Sequence, residues 1–177
     1  MNRRMQQQLQ KQERRGVQVL ESILVIPFLA ITLAAMVQLG ATMSVQEAVE
    51  AAADEGAREA AKAAATATNP TQIVDAATEA VNEVLSVHGL ALTANSGVRI
   101  ILAEDAAASP VGDAGDASVT QIQTFPAPGQ GELRVIILVK FDPTAAPNPD
   151  PIPNLLQSFG VDLANKQFEV SAIAKKE

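Results

Sequence analysis

The chain has 177 residues and a formal net charge of −7; 47% of its residues are hydrophobic, 3% are aromatic and 19% are charged. The absence of cysteine excludes disulfide bridges and thiolate metal sites, and the presence of a single histidine, His88, disfavours Ser-His-Asp catalysis. The negative charge argues against nucleic acid as a partner. We therefore expect no enzymatic activity, no metal, no cofactor and no small-molecule substrate.

The charges divide the sequence into a basic head and an acidic remainder. Residues 1–20 contain five basic residues and one acidic residue, whereas residues 22–46 carry no charge. The most apolar part of this uncharged run, Ile23–Met43, would span about 30 Å as a helix, which is the thickness of one hydrocarbon core. Because basic residues precede the run, we expect a single-pass helix in the inner membrane, with its N-terminus cytoplasmic and the remainder extracytoplasmic.

A cleaved secretory signal peptide is the alternative interpretation of this N-terminus. The apolar run is longer than the roughly 7–15 residues of a signal-peptide core, and no convincing A-x-A cleavage site follows it. We therefore favour a retained membrane helix, in which Pro27 produces a bend and does not end the helix.

The border between the basic head and the apolar run has the pattern Gly16-x4-Glu21. This border resembles the class III signal of type IV prepilins and pseudopilins, which a prepilin peptidase cuts after the glycine. The resemblance implies cleavage between Gly16 and Val17, where glycine would allow the extended backbone that a protease needs. It also implies that Glu21 neutralises the N-terminal amine of a neighbouring subunit. The alternative for Glu21 is an ordinary helix-start residue near the headgroups.

The segment after the span, Val45–Thr68, has the composition of a helix, because 11 of its 24 residues are alanine. No helix breaker separates it from the apolar run, so we predict one helix over residues 17–68, which Asn69-Pro70 ends. Three small residues four positions apart, Ala52, Gly56 and Ala60, indicate a close helix–helix contact. The alternative is a solvated stalk.

The remaining sequence predicts one helix and several strands. Asn69 and Pro70 are typical of a cap and a first turn, and Gly89 after His88 is a stop signal for this second helix. Apolar runs and alternating patterns predict strands at Val98–Leu102, Val119–Phe125, Leu133–Phe141 and Phe168–Ala174. Loops are predicted at 106–118 and in the proline-rich segment 143–153, and a short helical turn at 155–159.

The expected fold is therefore α+β and pilin-like: a long membrane-spanning helix that continues into a stalk, a second helix, and a three- to four-stranded antiparallel sheet. We divide the chain into a basic cytoplasmic leader (1–16), a membrane helix (17–43), an alanine-rich helical stalk (44–68) and an extracytoplasmic α+β domain (69–177). Residues 71–177 are expected to be enough for a small core.

Three parts of the sequence together resemble the TadE-like family, the minor pseudopilins of tight-adherence (Flp-type) pilus systems. They are the run from Gly16 to Gly40, the helix Val45–Arg58, and the C-terminal residues Leu155-Leu156 and Phe168–Ala174. The resemblance implies a structural or assembly subunit of a pilus or secretion apparatus. Its partners would be a prepilin peptidase and other pilin or pseudopilin subunits. The second interpretation is an unprocessed, single-pass anchored domain that binds or senses a ligand outside the cell membrane.

Overall fold

A computed structural model describes residues 3–105, 110–141 and 152–176, with side chains described from residue 21 onward. Two helices come first, and four strands and a short 3₁₀ turn follow. In chain order the elements are α1 (Arg3–Ala64), α2 (Pro70–Val87), β1 (Val98–Glu104), β2 (Gly112–Gly115), β3 (Glu132–Lys140), the 3₁₀ turn (Gln157–Phe159) and β4 (Gln167–Lys175). The prediction of an α+β fold with a long N-terminal helix is confirmed.

Helix α1 is continuous over 62 residues, a length of about 93 Å. Pro27 lies inside it without ending it, as predicted. The helix begins earlier than residue 17, so Gly16 is helical and not extended. It ends at Ala64, four residues before the predicted end. The backbone N–H of Thr68 donates to the side chain of Gln72 in the first turn of α2. This bond takes the place of the backbone hydrogen bond that Thr68 would form if α1 continued.

Helix α2 has the start and the end that the sequence predicts. The Asn69 side chain accepts a hydrogen bond from the Gln72 backbone N–H at 3.1 Å, and Pro70 is the first helical residue. At the other end His88 is the cap and is exposed, and Gly89 adopts a left-handed φ of 74° that stops the helix. The chain then turns toward the sheet, where Leu90 is buried in the core.

The sheet is antiparallel with the strand order β2-β1-β3-β4. Strand β3 lies in the interior of the sheet, where Ile137 pairs with Ile100 of β1 and Val170 of β4. Every residue of β3 from Leu133 to Val139 is buried. Because successive side chains of a strand point to opposite faces, both faces of β3 must be covered. Helix α1 packs against β3 and β4 on one face.

The other face of β3 is covered by residues 119–125, which the sequence predicted to be a strand. That prediction is wrong: this segment is irregular and forms no ladder. Its apolar residues Val119, Ile122 and Phe125 are three positions apart, a spacing that cannot put all of them on one face of a strand. The Glu169 carboxylate accepts the backbone N–H groups of Ile122 and Gln123, so a side chain substitutes for a partner strand.

The predicted loop 106–118 contains β2, which pairs with β1. Its sequence, Gly-Asp-Ala-Gly, has little strand propensity, but an edge strand needs backbone partners more than side-chain packing. Residues 106–109 lie outside the described ranges, as do residues 142–151, which include most of the proline-rich segment. The predicted helical turn at 155–159 corresponds to the 3₁₀ turn.

Asp116 fixes the connection that leads out of β2. Its carboxylate accepts hydrogen bonds from the backbone N–H groups of Gly97 at 3.0 Å and Ser118 at 2.9 Å, and the residue is 7% exposed. Burial raises the pKa of Asp116, but the hydrogen bonds from Ser118 and Gly97 outweigh this effect and hold the pKa below its ordinary value. The carboxylate is therefore a charged structural acceptor at neutral pH.

Candidate functional site: the N-terminal helix

The first half of α1 exposes the side chains that a globular protein buries. Leu24 is 76% exposed, Phe28 is 69% exposed and Met36 is 67% exposed, and large apolar side chains remain exposed as far as Met43. A contiguous apolar surface of this length marks a site that contacts a partner or a membrane.

Within the described part of the chain, α1 is the one helix long and apolar enough to cross a membrane by length and composition. Only 6% of its most apolar 18-residue stretch is buried, so this stretch is not the core helix of a soluble domain. The structure thus supports membrane anchoring through the predicted span.

The predicted processing residues precede this exposed surface. Gly16 and Val17 lie within α1, and only their backbone is described. Glu21 is exposed and stands two positions before Ile23, where the apolar run begins. From Glu21 to Met43 the helix rises about 33 Å, so a carboxylate at one end of a membrane span is compatible with its position. Cleavage and pairing of Glu21 with a neighbour stay predictions.

The second half of α1, from Val45 onward, packs against α2, β3 and β4. One side of it enters the core, while Glu47, Asp54 and Arg58 are exposed on the other side. The buried apolar residues are Val45, Ala48, Val49, Ala52, Ala53, Ala57, Ala60 and Ala61. The expected domain boundary at residue 69 therefore cuts through the core, because residues 45–61 are part of the folded domain.

The three predicted contact residues lie on this packed side. Ala52 and Ala60 are both 0% exposed. A Cβ atom on Gly56 would lie 2.5 Å from Cγ2 of Val81 in α2 and 3.7 Å from Cγ1 of Val135 in β3. The small residues therefore allow α1 to approach α2 and the sheet of the same chain.

We expect Gly56→Ala to destabilise the domain and Gly40→Ala to be neutral or stabilising. At Gly56 the new methyl group would overlap Val81, a stiff side chain that is 0% exposed, and overpacking of this kind costs about 1–3 kcal/mol. At Gly40, in the same helix, no atom lies within 4 Å of the new methyl group, and alanine is the better helix former. Thermal unfolding of both variants measures the difference; equal melting temperatures would contradict the close packing at Gly56.

One contact in α1 was missed from the sequence. Gln38 lies in the predicted membrane span, yet it is only 5% exposed. Its Oε1 atom accepts a hydrogen bond from the backbone N–H of Leu156, 118 residues further along the chain, at 3.0 Å. The signal was present, because a glutamine within an apolar membrane run needs a hydrogen-bond partner. The sequence could not name that partner, which comes from a loop.

The described residues contain no group of three or more histidine, cysteine, aspartate or glutamate side chains that could hold a metal ion. Some of their acidic residues have structural partners: the ammonium group of Lys176, for example, contacts both Glu104 and Asp105. Burial lowers the pKa of Lys176, and the hydrogen bonds to Asp105 and Glu104 raise it above its ordinary value. The expectation that the chain is not an enzyme stays a prediction.

A family model described as TadE-like protein matches residues 16–58. The match begins at the predicted cleavage glycine, includes the whole exposed apolar run and ends at Arg58 in the packed half of α1. The C-terminal residues that resemble the family lie outside it. Neither the curated proteins nor the solved structures compared with this chain gave a match. Over residues 16–58 the chain is thus similar to the TadE-like family, and this similarity supports a role related to pilus assembly.

Proposed function

We propose that this chain is a membrane-anchored TadE-like pseudopilin, a structural subunit that takes part in assembling a pilus or secretion apparatus and carries out no chemistry. The observation that supports this proposal most is the coincidence of the family match with the two-part helix α1. The matched residues include both the exposed apolar half and part of the half that holds the α+β domain.

In the proposed topology, α1 crosses the inner membrane once. The basic leader remains in the cytoplasm and the α+β domain lies outside, because positively charged residues are retained on the cytoplasmic side. Since α1 continues without a break from the span into the core, the domain stands directly on the membrane surface, with no flexible linker between them.

Processing by a prepilin peptidase would remove residues 1–16 and leave a positive amine on Val17. Four residues later, Glu21 would stand at the cytoplasmic end of the span. An unpaired carboxylate at membrane depth is costly, and the amine of a neighbouring subunit would offset this cost. Glu21 would thus set the register between subunits, while the exposed apolar face of α1 would contact lipid or the neighbouring helix.

We expect Glu21→Gln to leave membrane insertion and cleavage intact but to reduce assembly. The neighbour's amine would then be buried without a partner, and breaking a buried ion pair costs about 3–5 kcal/mol. The chain contains no cysteine, so a single reporter cysteine at Met36, which is 67% exposed, reports only contacts of the span. In native membranes, the fraction of the Met36→Cys protein that forms a disulfide-linked dimer should decrease about tenfold or more when Glu21→Gln is added.

Glu47→Gln is the matched control, because Glu47 is an exposed glutamate of the same helix beyond the predicted span. It should leave the crosslinked fraction unchanged. If Glu21→Gln crosslinks as well as the parent and the pilus still functions, Glu21 is an ordinary helix-start residue and the proposed pairing is wrong.

A further inference from the structure

We infer that the loop 154–161, here called the apolar loop, inserts into the outer lipid–water interface of the membrane and forms a second contact with the bilayer beside α1. This inference rests on the proposed membrane anchoring and extends it. It concerns a part of the chain 96 residues or more beyond the end of the TadE-like match.

The depth of the apolar loop follows from its contact with Gln38. The Leu156 N–H lies 3.0 Å from Oε1 of Gln38, and Gln38 is five residues, or about 7–8 Å, inside the end of the span at Met43. Side chains of an α-helix tilt toward its N-terminus, so the Gln38 amide points toward the membrane interior and not away from it. The loop therefore lies at or below the level of the outer membrane surface.

The need of the Gln38 amide for a hydrogen-bond partner indicates the same depth for the apolar loop. An amide in a membrane helix needs a hydrogen-bond partner, because hydrocarbon supplies none. Gln38 is buried by protein, and one partner is the backbone of the apolar loop. If the loop were held above the membrane, the Gln38 acceptor would lose the Leu156 N–H.

Hydrogen bonds and buried flanking residues hold the apolar loop in a defined conformation. On its two sides, Ile152 is 1% exposed in the core and Leu163 packs partly buried against the same core. The Asn154 side chain donates to the Asp162 carboxylate at 2.7 Å and so closes the neck of the loop. Inside the loop, Val161 N–H donates to the Leu156 carbonyl at 3.2 Å. The backbone that carries the side chains at its tip is therefore held in place by the fold.

The tip of this loop exposes apolar side chains. Leu155 is 44% exposed, Phe159 is 56% exposed and Val161 is 48% exposed, although the core lies nearby. The loop contains no charged residue; the nearest acid, Asp162, is at the neck and is paired with Asn154. Exposed apolar side chains on an uncharged tip, next to a membrane helix, are suited to the boundary between headgroups and acyl chains.

Lipid is the occupant that the geometry favours over a second copy of the chain. The loop contacts α1 through the bond between Leu156 and Gln38, and Leu39, the next residue of the helix, is 62% exposed. Because α1 at this level is inside the proposed span, the medium that surrounds Leu39 also reaches the tip of the loop. A tip of this kind would fix the height and tilt of the domain relative to the membrane.

The test uses the full-length protein in lipid vesicles. The chain contains no tryptophan, so each substitution Phe159→Trp, Val161→Trp, Leu39→Trp or Ile173→Trp gives a single fluorescent reporter. The vesicles contain phosphatidylcholine and phosphatidylglycerol whose acyl chains carry bromine close to the headgroups, because bromine quenches tryptophan on contact. We expect Phe159→Trp and Val161→Trp to lose emission to the same extent as Leu39→Trp. Ile173 is 48% exposed on β4 and lies about 20 Å along the strand from Gln167, where β4 begins after the apolar loop. The Ile173→Trp reporter should therefore keep its emission.

The possible outcomes distinguish the inference about the apolar loop from the proposed anchoring by α1. If Leu39→Trp is quenched while both loop reporters are not, the anchoring stands and the inference is overturned. If the loop reporters shift to shorter wavelength but remain protected from bromine, a second copy of the chain covers the loop and the inference is again overturned. If Leu39→Trp itself keeps its emission, the span is not in the bilayer and the proposed anchoring is wrong as well.

Discussion

A fragment that starts at residue 71 should not fold, whereas a fragment that starts at residue 44 should. The sequence favoured an independent domain after residue 69, but the packed half of α1 covers α2 and one face of strands β3 and β4. Without α1, three side chains that are 0% exposed in the structure would face water: Val81, Val135 and Ile137. Full exposure costs about 1.5–3 kcal/mol for each such side chain. Together with the other core residues, this is comparable with the total stability of a domain, about 5–15 kcal/mol.

Far-UV circular dichroism during heating distinguishes the two fragments. Residues 44–177 should show mixed helix and strand and a cooperative melt, because this fragment retains the second half of α1 and omits the exposed apolar run. Residues 71–177 should show little ordered structure and no cooperative transition. If the two fragments melt at the same temperature, residues 45–61 do not belong to the core and the helix is a solvated stalk.

Ile137→Asp should unfold the same 44–177 fragment. Ile137 is 0% exposed and is paired on both sides, with Ile100 and Val170. The new carboxyl group would lie between α1 and the sheet, where apolar side chains surround it. Burying it, charged or neutral, without a partner should lower the free energy of unfolding by about 4 kcal/mol or more.

Ile173→Asp is the matched control for this substitution. Ile173 lies in the edge strand β4, on the face opposite α1, and is 48% exposed. Water can solvate a carboxylate there, so the expected loss is below about 1 kcal/mol. Denaturant unfolding of both variants gives the comparison. A cooperative transition of Ile137→Asp at the midpoint of the parent would show that β3 is not the central core strand.

The sequence predicted the elements whose local patterns are unambiguous. The cap at Asn69, the stop at Gly89 and the apolar run of β3 each carry a strong signal, and each lies where it was expected. The prediction of a strand at 119–125 rested on an alternation of apolar and polar residues that is not strict, because two polar residues separate each apolar residue from the next. The conformation of this segment depends on the Glu169 carboxylate, which belongs to a distant strand. Strand β2 was missed because the β1 backbone specifies it more than its own side chains do.

The candidate site was only partly predictable for the same reason. The exposed half of α1 follows from uninterrupted apolar sequence, a local property that needs no knowledge of the fold. The burial of Ala52, Gly56 and Ala60 was visible as a pattern of small residues, but the partner helix was not. The contact of Gln38 with Leu156 joins residues 118 positions apart, and only the folded domain brings them together.

The most direct test of the proposed function is N-terminal sequencing of the protein purified from native membranes. A processed, membrane-retained subunit should begin at Val17, because the peptidase would remove the leader and leave the whole apolar run in place. A chain that still begins at Met1 would contradict processing and favour an unprocessed anchored domain. A chain that begins after the apolar run would contradict the anchor itself, since the run would then be a cleaved signal peptide.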